Sequence, residues 1–293
     1  MNLTVIPPNT VRCLSSRRCG QCALIMTKPA IKRHQIDFRT RRLRLAPSVF
    51  LLPEGQKRWP RPSDLVSRRV WRGIMHLPDH VALTTSGHHG RALALLYTLW
   101  ADWIQVFEYD DRDELTDAML DAADCFQASG FDSLHGFYRS SISNLRSVID
   151  VVAVGTLGKL GPKDDAYQKW IEGKSGSSLN FLNLRSRLSK LCPEERALFK
   201  QDGWVSALYE ELCSFVHARP DCTDGAIWRS NGPIYVHEGF HASMDLLTAT
   251  YAAAYVLTKI ARRDLRMPEA SKFIFAERPA RDSALALGLI DAS

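Results

Sequence analysis

No uncharged apolar run in this chain reaches the roughly 18–20 residues that crossing a bilayer requires. The most apolar stretch, residues 246–257, is too short and is bracketed by Asp245 and Lys259. A secretory signal is also missing: residues 3–8 are too few for an apolar signal core and end in Pro7 and Pro8. The glycine-rich pieces match neither a phosphate-binding loop nor a dinucleotide fingerprint, which argues against nucleotide enzymes of those classes. No internal repeat is visible, so a solenoid is not expected. Cysteine is present in an odd number, seven in 293 residues, in a chain too long to need disulfide staples. Cys125, Cys192 and Cys213 fall in amphipathic helical contexts, where a free thiol behaves as a small buried hydrophobe. A reducing, cytoplasmic setting without membrane association is expected.

What is present is globular in composition, 45% hydrophobic and 24% charged, which argues against wholesale disorder. The charge is unevenly placed. Residues 1–60 hold twelve lysines and arginines against Asp37 and Glu54, an excess of ten in a chain whose net charge is +6, which leaves the remainder at −4. A basic arm is implied rather than a basic binding face on the folded body. That arm contains six prolines and little periodicity, and reads as irregular. Met26 is a candidate start, with the residues before it an upstream extension.

From residue 91 onward the apolar spacing is helical. Helices are expected over 92–107, 113–128, 132–157, 164–171, 179–191, 193–200, 204–218 and 240–263, with a short one at 283–289. Residues 77–90, with Pro78 and the glycines at 87 and 90, read as a loop. Gly130 reads as a helix stop. Residues 227–236 change period: Ile227-Trp228-Arg229 and Ile234-Tyr235-Val236 flank Ser230-Asn231-Gly232-Pro233, the pattern of a small β-hairpin. The expected fold is all-α, a helical bundle with one hairpin insert. It divides into a basic arm (1–60), a helical domain (61–265) and a C-terminal tail (266–293).

Three groups of residues could carry chemistry. The sharpest is His237-Glu238-Gly239-Phe240-His241. On a helix, histidines at i and i+4 face the same way and can hold zinc through their ring nitrogens. Glu238 would then be the general base for a metal-bound water. The string resembles that of zincin-type peptidases, although their active helix lies against a sheet and almost everything upstream here is helical. A third ligand is required. Asp245 is eight residues from His237, about 12 Å of helix rise, too far for one ion to bridge. Glu269, downstream of the helix, would have to fold back. Gly239 weakens the helix at the motif, and a start with solvated histidines is the plainer reading.

The second group is His217, at the end of an apolar helix, with the stripe His135, Arg139, Ser143, Arg146 and Asp150 on the long helix. Arginines beside a histidine can hold a phosphodiester and move a proton. An Arg146–Asp150 ion pair is the plainer alternative. The third group is Cys13, Cys19 and Cys22 with His34, a spacing that partly suits a zinc knuckle.

Two resemblances follow. The His217 pattern resembles the HEPN-type helical ribonucleases of toxin and defence systems, which would make His217, Arg139, Arg146 and Asp150 catalytic and RNA the partner. Their signature places an arginine four to six residues before the histidine, and residues 211–213 here are Glu, Leu and Cys. A closer resemblance, over residues 204–260, is to uncharacterised bacterial helical proteins. It is carried by Ser214-Phe215-Val216-His217-Ala218-Arg219-Pro220 and by Trp228-Arg229-Ser230-Asn231-Gly232-Pro233-Ile234-Tyr235-Val236. It implies a helical interaction protein of bacterial type with a protein partner, in a defence or toxin–antitoxin setting, and brings no cofactor. Zinc enters only with the His237–His241 reading.

Overall fold

The computed structural model describes residues 76–107, 113–172, 174, 179–216 and 232–291. Its helices are α1 (Leu77–Phe107), α2 (Glu114–Leu134), α3 (Tyr138–Leu160), α4 (Asp165–Ile171), α5 (Phe181–Leu191), α6 (Arg196–Phe199), α7 (Trp204–Val216), α8 (His237–Ala261) and α9 (Ala280–Ala286), with a 3-10 helix at Glu269–Phe275 between the last two. No strand occurs among the described residues, and no described helix is long and apolar enough to cross a membrane. The fold is all-α.

Helix α3 is the axis. Tyr138, Ile142, Leu145, Val148, Ile149, Val152, Ala153 and Leu157 are fully buried along it, and α2, α5, α7 and α8 pack around it. Small residues allow close approach: a Cβ on Gly155 would lie 2.5 Å from the Cβ of Ala118 on α2. Ala252, Ala253 and Ala254 of α8 are likewise completely buried. Helix α1 joins through bulk instead. Trp103 is fully buried, donates Nε1–H to the Met119 carbonyl at 2.8 Å and meets Tyr255 edge-on at 4.9 Å. Trp100 donates to the Ala123 carbonyl at 3.2 Å. An indole buried in this way contributes through area and through its satisfied N–H together.

Of the differences from the sequence reading, three bear on the site. Residues 77–90 are helical, not a loop, and α1 runs 31 residues. Pro78 sits in its first turn, where a missing N–H costs nothing, and Gly87 and Gly90 are tolerated inside. The second helix ends at Leu134, past Gly130. The stop is Gly136, whose φ of +79° suits glycine and whose missing Cβ would stand 2.2 Å from the Ile234 carbonyl oxygen. The hairpin is not seen. Its first half lies outside the described residues, and 233–236 run without strand pairing. Pro233 has no N–H to give a ladder, and the Val236 N–H is spent on the Tyr138 hydroxyl at 3.2 Å.

Pro78–Ser293 forms one compact unit. Residues 266–291, read from the sequence as a tail, pack onto α8 within it. Met267, Ile274, Phe275, Ala284 and Leu289 are buried, and Ser271 donates to Asp102 of α1 at 2.5 Å.

Candidate metal centre

The first turn of α8 carries His237 and His241 one helical turn apart. Val236 is the residue that enters the helix, in an extended conformation and without a side-chain cap. Tertiary contacts fix this end instead. Phe240 is fully buried. Behind it runs a chain of buried serine hydroxyls: Ser129 to Ser141 at 2.9 Å, Ser141 to Ser133 at 2.7 Å, and Ser133 to Ser243 at 3.1 Å. Ser243 donates onward to the Phe240 carbonyl at 2.8 Å. These bonds tie the start of α8 to α2 and α3, and the turn that bears the two histidines is held from beneath.

The third imidazole comes from α1. His89 has non-helical backbone angles (φ −128°, ψ 24°) and marks a kink in that helix. Its side chain is buried at 8% exposure and stacks on Phe240, with centroids 4.1 Å apart. The rings of His237 and His241 are 4.4 Å from each other, and each is 5.1 Å from His89. One ring nitrogen from each of the three lies within 4.8 Å of the other two. A tetrahedral zinc with bonds of 2.0–2.1 Å needs nitrogens about 3.4 Å apart. The three rings must therefore close by up to about 1.4 Å. His237 and His241 are exposed and can turn to do so, whereas His89 is set by its packing.

Electrostatics favour the ligand form of His89. Burial, and then the neighbouring His241, His237 and His88, hold its pKa below the ordinary 6.5. A neutral ring is what a metal requires. Three imidazoles suit zinc, copper, nickel or cobalt rather than magnesium or calcium, and three protein ligands leave a position open for water or substrate. The positive end of the α8 dipole opposes a cation here, but it favours an anion on that open position. Glu238, exposed in the same turn, offsets part of the dipole. Around the triad, the Tyr235 hydroxyl lies 3.1 Å from His89 Nε2, and His88 stacks on the Tyr235 ring at 5.3 Å. Burial, and then the charge of Glu238, push the Tyr235 phenol above its usual range.

The structure thus brings His237 and His241 together and adds a ligand that the sequence reading missed. Neither Asp245 nor Glu269 belongs to the group. Helix α8 is 25 residues long, so about 37 Å of rise carries the chain away from the triad before Glu269 is reached. Glu269 pairs there with Lys272 at 2.7 Å. His89 sits in a segment read as a loop, and no spacing rule links position 89 to position 237. The visible hint was a His88-His89 pair bracketed by Gly87 and Gly90.

The stripe on α3 is engaged differently. Arg139 donates to the last carbonyls of α7, Phe215 at 2.8 Å and Val216 at 3.2 Å. Arg146 pairs with Asp150 at 3.4 Å, donates to the Tyr209 hydroxyl at 3.1 Å and lies over the Tyr209 ring. Asp150 accepts the Phe181 N–H at 2.7 Å, at the start of α5. His135 lies beyond the end of α2 and outside α3. His217, and Cys13, Cys19, Cys22 and His34, lie outside the described residues. Comparisons of the chain with family models, with curated proteins and with solved structures give no match.

Proposed function

We propose that this chain is a metal-dependent hydrolase. A zinc-class ion is held by His89, His237 and His241, and Glu238 acts as general base. The observation that carries the reading is the convergence of three imidazole nitrogens within 4.8 Å, from two segments far apart in sequence. It ranks above the interaction-protein and ribonuclease readings because it gathers ligand-capable groups around one point. The arginines of the alternative site spend their donors on helix ends and on a neighbouring tyrosine. An ion held by these three imidazoles would supply Lewis acidity, toward a water at its open position and toward a carbonyl or phosphoryl oxygen of a substrate. Glu238 stands between the two α8 ligands in sequence and faces solvent, where it can take the proton from that water. The exposure of His237 and His241 leaves the open position accessible to a substrate approaching from outside.

The test begins with elemental analysis of purified, zinc-loaded protein. About one equivalent per chain is expected for the wild type, and well below that for His89→Ala. A wild-type chain that retains no stoichiometric zinc, cobalt or nickel overturns the metal centre. Hydrolysis of activated carboxylic and phosphoric esters by the loaded protein follows. Glu238→Gln is expected to lower turnover by about 10²–10⁴-fold with the zinc content unchanged. Equal turnover in both proteins overturns the hydrolase and leaves the metal site standing.

A further inference from the structure

We infer that Tyr235 is the positioning residue of this metal centre: its hydroxyl oxygen accepts the Nε2 proton of His89, and Nδ1 is therefore the nitrogen that His89 presents to the ion. The inference rests on the metal reading above and adds to it the ligand atom, the tautomer and the group that sets both.

A neutral imidazole has one N–H and one lone pair. A nitrogen bound to a metal has used its lone pair and cannot also hydrogen-bond. The Tyr235 hydroxyl is 3.1 Å from Nε2 of His89, and it is the hydrogen-bond partner the structure gives that ring. If this contact persists in the loaded protein, Nε2 keeps its proton and Nδ1 is left for the ion. Metal-bound histidines ordinarily donate their second nitrogen in this way, to a carboxylate, a carbonyl or water, and the partner fixes ring orientation. Here a phenol oxygen takes that place.

The orienting group must itself be fixed, and Tyr235 is held through both of its chain neighbours and through its ring. The next residue, Val236, donates its N–H to the Tyr138 hydroxyl at the start of α3. The preceding residue, Ile234, lies against Gly136 so closely that any Cβ there would collide with its backbone. The ring of Tyr235 stacks on His88, with planes 18° apart. His89 itself sits at a kink, so regular helix geometry does not aim its ring. Stacking on Phe240 sets the plane of that ring, and the bond to Tyr235 sets which nitrogen points which way.

The experiment uses the full chain with zinc. Two-bond ¹⁵N–¹H correlation spectra of labelled protein report the tautomer of each histidine. His89 is expected with its proton on Nε2 and zinc on Nδ1. In parallel, zinc affinity is measured against a chromophoric chelator for wild type and Tyr235→Phe. The variant keeps the ring that stacks on His88 and removes only the oxygen, and an unchanged far-ultraviolet spectrum and melting temperature of the metal-free protein verify its fold. The affinity of Tyr235→Phe is expected to fall by about 10–100-fold. A zinc-bound Nε2 on His89, or an affinity of Tyr235→Phe within twofold of wild type, overturns the inference while the metal site stands. Absence of zinc from the wild type is a separate result in the same titration, and it removes the metal reading and this one together.

Discussion

Two regions of this molecule are rich in polar side chains aligned on helices, and they come to opposite ends. On α3, Arg139, Arg146 and Asp150 share one face, two turns and then one turn apart, and reach toward neighbouring helices. Each is occupied: Arg139 by the C-terminal carbonyls of α7, Arg146 by Asp150 and Tyr209, Asp150 by the first N–H of α5. Arg139 and Asp150 close helix ends that would otherwise leave backbone groups without partners, and Arg146 holds Asp150 in place. At the α1–α8 corner, three imidazoles meet at tilted and edge-on angles, and His89 stacks on Phe240. Tyr235 accounts for one nitrogen of one ring. A stripe of charges along a helix is thus a poor sign of chemistry when the ends of adjacent helices need partners. Convergence of lone pairs from separate segments is a better one.

The largest effect expected from breaking this contrast is on the α3 side. Asp150→Ala removes the acceptor for the Phe181 N–H, the partner of Arg146 and a hydrogen bond with Tyr209. Hydrogen bonds to a charged group contribute about 1.5–3 kcal/mol each and are not additive, so a loss of about 3 kcal/mol in denaturant unfolding is expected. Zinc affinity should stay unchanged, because the lesion is confined to the junction of α3, α5 and α7. A destabilisation under 1 kcal/mol would show that these side chains do not close the helix ends.

The corner should behave in the reverse sense. His241 is exposed, and surface substitutions of this kind usually change stability by less than about 0.5 kcal/mol. His241→Ala is therefore expected to melt like the wild type without metal. Zinc at a hundred times its dissociation constant should stabilise the wild type by about 2.7 kcal/mol and His241→Ala by little at that concentration. Calorimetry with and without zinc reads both numbers. Equal stabilisation of the two proteins would mean that the ion binds elsewhere.

How much of this was legible in the sequence follows from the range of the signals. Helices α3, α5, α7 and most of α8 were visible because apolar residues recur within a single turn, a local property. The i,i+4 pair of His237 and His241 was visible for the same reason, as was the Arg146–Asp150 pair. His89 was not, because its relation to α8 exists only after α1 and α8 have packed. The glycines on either side of it also disguised a helix as a loop. Gly136 was passed over as the helix stop in favour of Gly130, since what decides between them is the approach of Ile234, a contact nearly a hundred residues away. The expected hairpin is not seen: its first half lies outside the described residues, and the Val236 N–H goes to the Tyr138 hydroxyl.

The smallest effect expected concerns Asp113, which repeats the α3 logic at the start of α2. Its carboxylate accepts the Thr116 N–H at 2.8 Å and the Thr116 hydroxyl at 3.0 Å, and Lys159 from the end of α3 donates to it at 2.6 Å. Burial alone would raise its pKa, but Lys159 and Thr116 outweigh burial and hold it below the ordinary 3.8. A carboxylate with a depressed folded pKa contributes stability that is fully present above its unfolded value and is lost as pH falls through the folded one. The wild type should therefore lose part of its stability on acidification below about pH 4. Asp113→Asn keeps the capping oxygen and removes the charge, and should show a flatter acid limb. Near neutral pH the same substitution should cost well under the roughly 1 kcal/mol of a lost cap, because asparagine caps as well as aspartate. Thermal melts of both proteins across pH 2.5–7 measure the difference. Parallel curves would show that the charge on Asp113 adds nothing beyond the cap.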